Sequence, residues 1–152
     1  MPVVTWSGFE QLVAEGKKRI PEKFRRYLEE VALVVEGEPT AAQKCAAGVP
    51  LGDELLGLYH GTPRTERAYL PYRLPEKITL FQGPLERICQ GDRACVREEV
   101  AHTIFHELGH ALGFSERRIR ALERVRRDRH DVRAPTVRGR NNPCGRSYAR
   151  PR

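Results

Sequence analysis

The stretch DRACVREEVAHTIFHELGHALG, residues 92–113, leaves the fold of this 152-residue chain the least freedom. Asp92 can accept hydrogen bonds from the first amides of a helix, and Val96, Val100, Ile104, Leu108 and Ala111 follow it at helical spacing. Gly113 then supplies the backbone freedom with which helices commonly stop. The pattern predicts one long helix over residues 93–112, with an apolar stripe that other elements must cover. The whole chain is long enough for one domain with a modest core.

What surrounds that helix is legible in pieces. Ser7 is placed to cap a first helix carrying Phe9, Leu12 and Val13, and Pro21 opens a second with Phe24, Tyr27 and Leu28 inward. VALVVEGE, residues 31–38, reads as a buried strand because it is short and β-branched. Residues 39–53 read as a loop with one helical turn at TAAQKCAA. ELLGLYHG and KITLFQGP are two further strands, PLERICQ a short helix, and Ser115 caps a last helix through Ile119, Leu122 and Val125. No internal repeat is present.

Composition narrows the class. At 39% hydrophobic and 31% charged residues the chain suits a soluble globular protein, and its longest apolar run, VALVV, is far too short to span a bilayer. The first residues lack the charge order and apolar run of a secretory signal, so a cytoplasmic location is expected. In that compartment Cys45, Cys89, Cys95 and Cys144 are expected to be thiols, and no CxxC pair suggests cysteine-bound metal.

The net charge of +7 is unevenly spread: residues 124–152 hold ten arginines against Asp128 and Asp131, or +8, which leaves −1 for residues 1–123. Residues 132–152 have almost nothing to bury and read as a mobile basic tail behind a domain of residues 1–131. With Tyr148 as its one stacking aromatic, the tail supports either nonspecific, salt-sensitive nucleic-acid contact or simple solvation.

Three histidines on the long helix, His102, His106 and His110, carry the chemical signal. His106, Glu107 and His110 spell HExxH: two imidazoles one turn apart on one face, with a carboxylate displaced by about 100°. Such a pair can hold a metal ion that acidifies a water, with Glu107 placed to take the proton. The plainer reading, an exposed polar helix face, does not account for the continuation HExxHxxGxxE. In it Gly113 lets the chain reverse so that Glu116 can return as a third ligand, although an acid in a first helical turn also suits the helix dipole. His102 lies about 12 Å along the axis from His110, too far to share one ion, and is read as a surface residue or a hydrogen-bonding neighbour. Tyr59 and His60 read as a partly buried aromatic and a loop histidine. Met1 is the only methionine, so the methionine turn of larger relatives is excluded.

Through FEQLVAE, VALVVEGEP, LLGLYHGTPRTER, ITLFQGPLER and HTIFHELGHALGFSERRIRAL, the chain resembles the small bacterial zincin-like metallopeptidases, or minimal zincins, over roughly residues 7–125. The resemblance implies an α+β minimal zincin-like fold, a short three-stranded sheet packed against helices that include the HExxH helix. It carries metal binding onto His106 and His110 and catalysis onto Glu107. The family usually has aspartate where this chain has Glu116. The expected function is therefore a monomeric zinc peptidase with one Zn2+ on His106, His110 and Glu116, cleaving a peptide or protein laid along a sheet edge. The alternative is a metal-binding interaction module whose basic tail contacts nucleic acid or an acidic partner with little turnover. Glu107 separates the two, because a purely structural site has no need of it.

Overall fold

The computed structural model describes residues 5–50, 52–69 and 74–130, with side chains through Arg126. The basic segment 132–152 lies outside the described residues. Helix α1 spans Trp6–Lys18, α2 Glu22–Arg25, β1 Ala32–Glu36, α3 Ala41–Ala46 and β2 Gly57–His60. Strand β3 spans Lys77–Phe81, α4 Gln82–Ile88, α5 Arg93–Ala111 and α6 Glu116–His130, with short 3₁₀ segments at Arg26–Glu30 and Arg64–Tyr69.

The sheet is mixed, in the order β1-β3-β2, with β3 parallel to β1 and antiparallel to β2. Being central, β3 buries Ile78, Thr79, Leu80 and Phe81. Its side chains alternate between two faces. Ile78 and Leu80 join the main core with Phe9 and Leu12 of α1 and Val96, Val100 and Ile104 of α5. Phe81 joins a smaller cluster on the other side with Leu55, Leu58, Ala47 and Val49. Each such side chain removed from water contributes about 1.5–3 kcal/mol before entropy is counted. The α+β architecture is the one the sequence predicts. Among the described residues, no helix is long and apolar enough to cross a membrane.

Several local expectations change. Thr5, not Ser7, caps α1: its hydroxyl accepts from the Gly8 amide at 3.2 Å, while Ser7 already lies in the first turn. Strand β1 is only half-buried, because it is a sheet edge and lacks a neighbour on one side. Val125 is 51% exposed. The inward face of α6 carries Ile119, Glu123 and Arg126, all buried, with the half-buried Glu116 and Leu122 beside them, and the intervals of three and four residues from Glu116 to Arg126 keep one face of a 3.6-residue helix. The series 119, 122, 125 advances only three at a time, so Ile119 is buried and Leu122 still packs against the core while Val125 has rotated outward.

The cysteine expectation also changes, because Cys89 and Cys95 form a disulfide with their Cα atoms 5.5 Å apart. Gln90 and Gly91, both at positive φ, turn the chain back between α4 and α5 and bring the two sulfurs together. The cysteines therefore no longer support a reducing compartment.

Helix α5 follows prediction in its bounds and in its Asp92 cap, which accepts from the Cys95 amide at 3.0 Å. It departs from prediction in burial. Instead of one stripe, every residue from Val100 to Gly109 is buried. Helix α1 packs so near that a Cβ on Gly16 would stand 2.9 Å from Val100 Cγ1. The sheet and α6 cover the other flanks. His102, Thr103, His106 and Glu107 are thereby enclosed, and buried polar groups of this kind require partners.

Candidate metal centre

One turn of helix puts the His106 and His110 rings 5.0 Å apart between centroids. Just beyond them α5 ends in a Schellman turn: the Phe114 amide donates to the Gly109 carbonyl at 2.9 Å and the Gly113 amide to the His110 carbonyl at 3.0 Å. Gly113 adopts φ +78°, the left-handed conformation this turn demands. Ser115 then accepts from the Arg118 amide at 3.2 Å and starts α6, with Glu116 as its first residue. The reversal returns the Glu116 carboxylate to the histidines. Its Oε1 lies 3.1 Å from His110 Nε2 and 3.7 Å from His106 Nε2. That oxygen is buried and takes no hydrogen bond.

Glu107 enters from another direction. Fully enclosed between α5 and β2, it accepts at Oε2 a 2.9 Å hydrogen bond from the Tyr59 backbone amide. Burial pushes its pKa up to about 7, against the opposing pull of His106 and the Tyr59 amide, and the nearby Glu116 and Glu123 carboxylates raise it further. Strand β2 reaches this close because position 57 is glycine. A Cβ there would stand 2.4 Å from Thr103 Cγ2 and 3.6 Å from Glu107 Cγ.

The four residues singled out from the sequence, His106, Glu107, His110 and Glu116, thus come together. His102 is no surface residue: it is buried, and its Nε2 lies 3.6 Å from Oε1 of Glu123 on α6. The same Glu123 oxygen is 2.7 Å from His106 Nδ1. Sequence reasoning missed Glu123. Its signal was available: it follows Glu116 by seven residues, two helical turns along the same face. It also passed over the Tyr59 backbone amide, which is what meets Glu107 from β2. The Tyr59 hydroxyl and His60 Nδ1 are buried without hydrogen bonds, and burial raises the pKa of Tyr59 and lowers that of His60.

The donors of His106, Glu107 and His110 lie within 4.8 Å of one another, a cluster able to hold a metal ion. Glu107 already receives a hydrogen bond, whereas Glu116 Oε1 does not, although it lies within 3.7 Å of both Nε2 atoms. Two imidazole nitrogens and a carboxylate oxygen are the donor set of an open catalytic zinc site, so the residues present fit such an ion. The profile of a family described as zincin-like metallopeptidase matches residues 28–125, which hold all of these side chains. Among curated proteins, none matches the chain.

Proposed function

The chain belongs to the zincin-like metallopeptidase family, and on that premise we propose that it is a zinc-dependent peptidase in which His106, His110 and Glu116 hold one ion and Glu107 is the general base. The observation that carries this reading is the buried Glu116 Oε1, which takes no hydrogen bond and faces two imidazole Nε2 atoms beside a second, separately anchored carboxylate. Zinc bound there would supply Lewis acidity, polarising a peptide carbonyl and acidifying a water. The remaining work belongs to the chain. The Tyr59 amide holds Glu107 by Oε2, which leaves Oε1 to accept a proton from a water and pass it to the departing amine. Enclosure by β2, α5 and α6 keeps bulk water from that carboxylate.

The test measures metal content and cleavage of a peptide library together, in wild type and in Glu107→Gln. The variant should keep about one zinc per chain and lose cleavage by about 10² to 10⁴. Equal cleavage by both proteins would refute the role of Glu107. Zinc binding without cleavage in wild type would favour the interaction module instead.

A further inference from the structure

The third histidine of the α5 stack and the second glutamate of α6 meet behind the metal centre. Glu123 is 8% exposed, His102 4% and His106 3%. Glu123 Oε1 sits 2.7 Å from His106 Nδ1 and 3.6 Å from His102 Nε2. A carboxylate enclosed this deeply is costly unless its oxygens meet donors. At 2.7 Å a carboxylate oxygen and an imidazole nitrogen repel one another unless the nitrogen carries the proton.

A neutral imidazole has one N–H and one lone pair. If Nδ1 holds the proton for Glu123, the lone pair is on Nε2, the atom that faces His110 and Glu116. We propose that Glu123 is a positioning residue that fixes His106 in its Nδ1–H form, with its lone pair on the metal-facing Nε2; His102 flanks the same Glu123 oxygen at 3.6 Å. The proposal rests on the zinc-peptidase reading for its purpose, since the ligating form of His106 matters only if an ion is held. The assignment of the proton is independent of it. A free histidine side chain prefers the opposite form, with the proton on Nε2, so the preference must be imposed by the protein. Ile119 fixes the register that makes the contact: a Cβ on Gly109 would meet its Cγ1 at 2.7 Å, so α6 lies directly on the backbone of α5 between Glu116 and Glu123.

The experiment uses the full chain labelled with ¹⁵N-histidine, stripped of metal, at about pH 8, where an unperturbed histidine is neutral. Long-range ¹H–¹⁵N correlation should show His106 protonated at Nδ1 and bare at Nε2. Glu123→Gln keeps an oxygen acceptor and should keep that form. Glu123→Leu removes the acceptor and should release the ring to its Nε2–H form. Zinc affinity, read by competition with a chelator, should fall by about 10- to 100-fold in Glu123→Leu and less in Glu123→Gln. A wild-type His106 protonated at Nε2, or at both nitrogens, overturns the proposal, and this reading needs no variant to fold. Wild-type zinc affinity in a folded Glu123→Leu also overturns it. If wild type shows the Nδ1–H form and binds no zinc, the zinc-peptidase reading fails while the Glu123 assignment is supported.

Discussion

Gly57→Ala is a one-carbon change that tests whether β2 is seated on α5 as closely as the active carboxylate requires. The added Cβ would lie 2.4 Å from Thr103 Cγ2 and 3.2 Å from the Thr79 carbonyl oxygen. Ordinary carbon–carbon contact begins near 3.5 Å, so about 1 Å must be recovered. Thr103 is fully buried on a packed helix and is poorly placed to yield. The strand would therefore move. A comparable displacement stretches the Tyr59 amide's 2.9 Å bond to Glu107 past the hydrogen-bonding range. Overpacking of this kind costs about 1–3 kcal/mol, and each kcal/mol lowers the midpoint of a chain this size by about 2–4 °C. Thermal unfolding of Gly57→Ala should show that loss, with peptide cleavage reduced beyond what unfolding explains. Thr103→Ser deletes only the offending methyl, so the double variant Gly57→Ala/Thr103→Ser should recover most of both losses. A Gly57→Ala protein as stable as wild type, or a double variant no better than the single, refutes the argument.

Glu116→Ala removes the carboxylate whose Oε1 lies 3.1 Å from His110 Nε2 and 3.7 Å from His106 Nε2; chelator competition should show zinc affinity at least about tenfold weaker, and unchanged affinity would exclude Glu116 as a ligand. Burial, and then Lys77 beside it, lower the folded pKa of His60 below its unfolded value near 6.5 against the opposing pull of Glu36. The unfolded chain then binds the proton more readily, and the His60 contribution is present above about pH 6.5 and lost as pH falls. His60→Asn should flatten the fall in midpoint below that pH, and an unaltered profile would rule burial out as its cause. The disulfide Cys89–Cys95 closes a short loop worth about 2 kcal/mol; reductant should lower the midpoint of wild type but not of Cys95→Ala, and a wild type indifferent to reductant would mean the pair is not joined.

Much of the fold was legible because its signals were local. Helix α5 declared itself by the Asp92 cap, the apolar spacing and Gly113, and all three features occupy the expected positions. The three strands were visible as short β-branched or apolar runs, but their order was not. That order decides that β3 is enclosed while β1 is an edge, which is why β1 looked more buried in sequence than it is. The cysteine pair escaped notice because its spacing matches no redox motif; the turn at Gln90 and Gly91 makes the contact.

The site divides along the same line. His106, Glu107, His110 and Glu116 lie within eleven consecutive residues, and helix geometry plus one glycine turn relates them without reference to the rest of the fold. Their supports come from elsewhere. The Tyr59 amide is a backbone donor, which any residue but proline supplies, so no side chain advertises it. Glu123 is an ordinary glutamate in an arginine-rich helix until the rotation of α6 is known, and that rotation depends on the contact between Ile119 and Gly109. This explains why α5 buries His102, Thr103, His106 and Glu107 where a purely structural helix would bury aliphatics. Their polarity is tolerated because β2 and α6 bring partners to them, an amide to Glu107 and a carboxylate to His106. The centre is therefore a joint between three elements rather than a property of one motif. Changes that shift β2 or α6 by an ångström should impair it even when HExxH is intact.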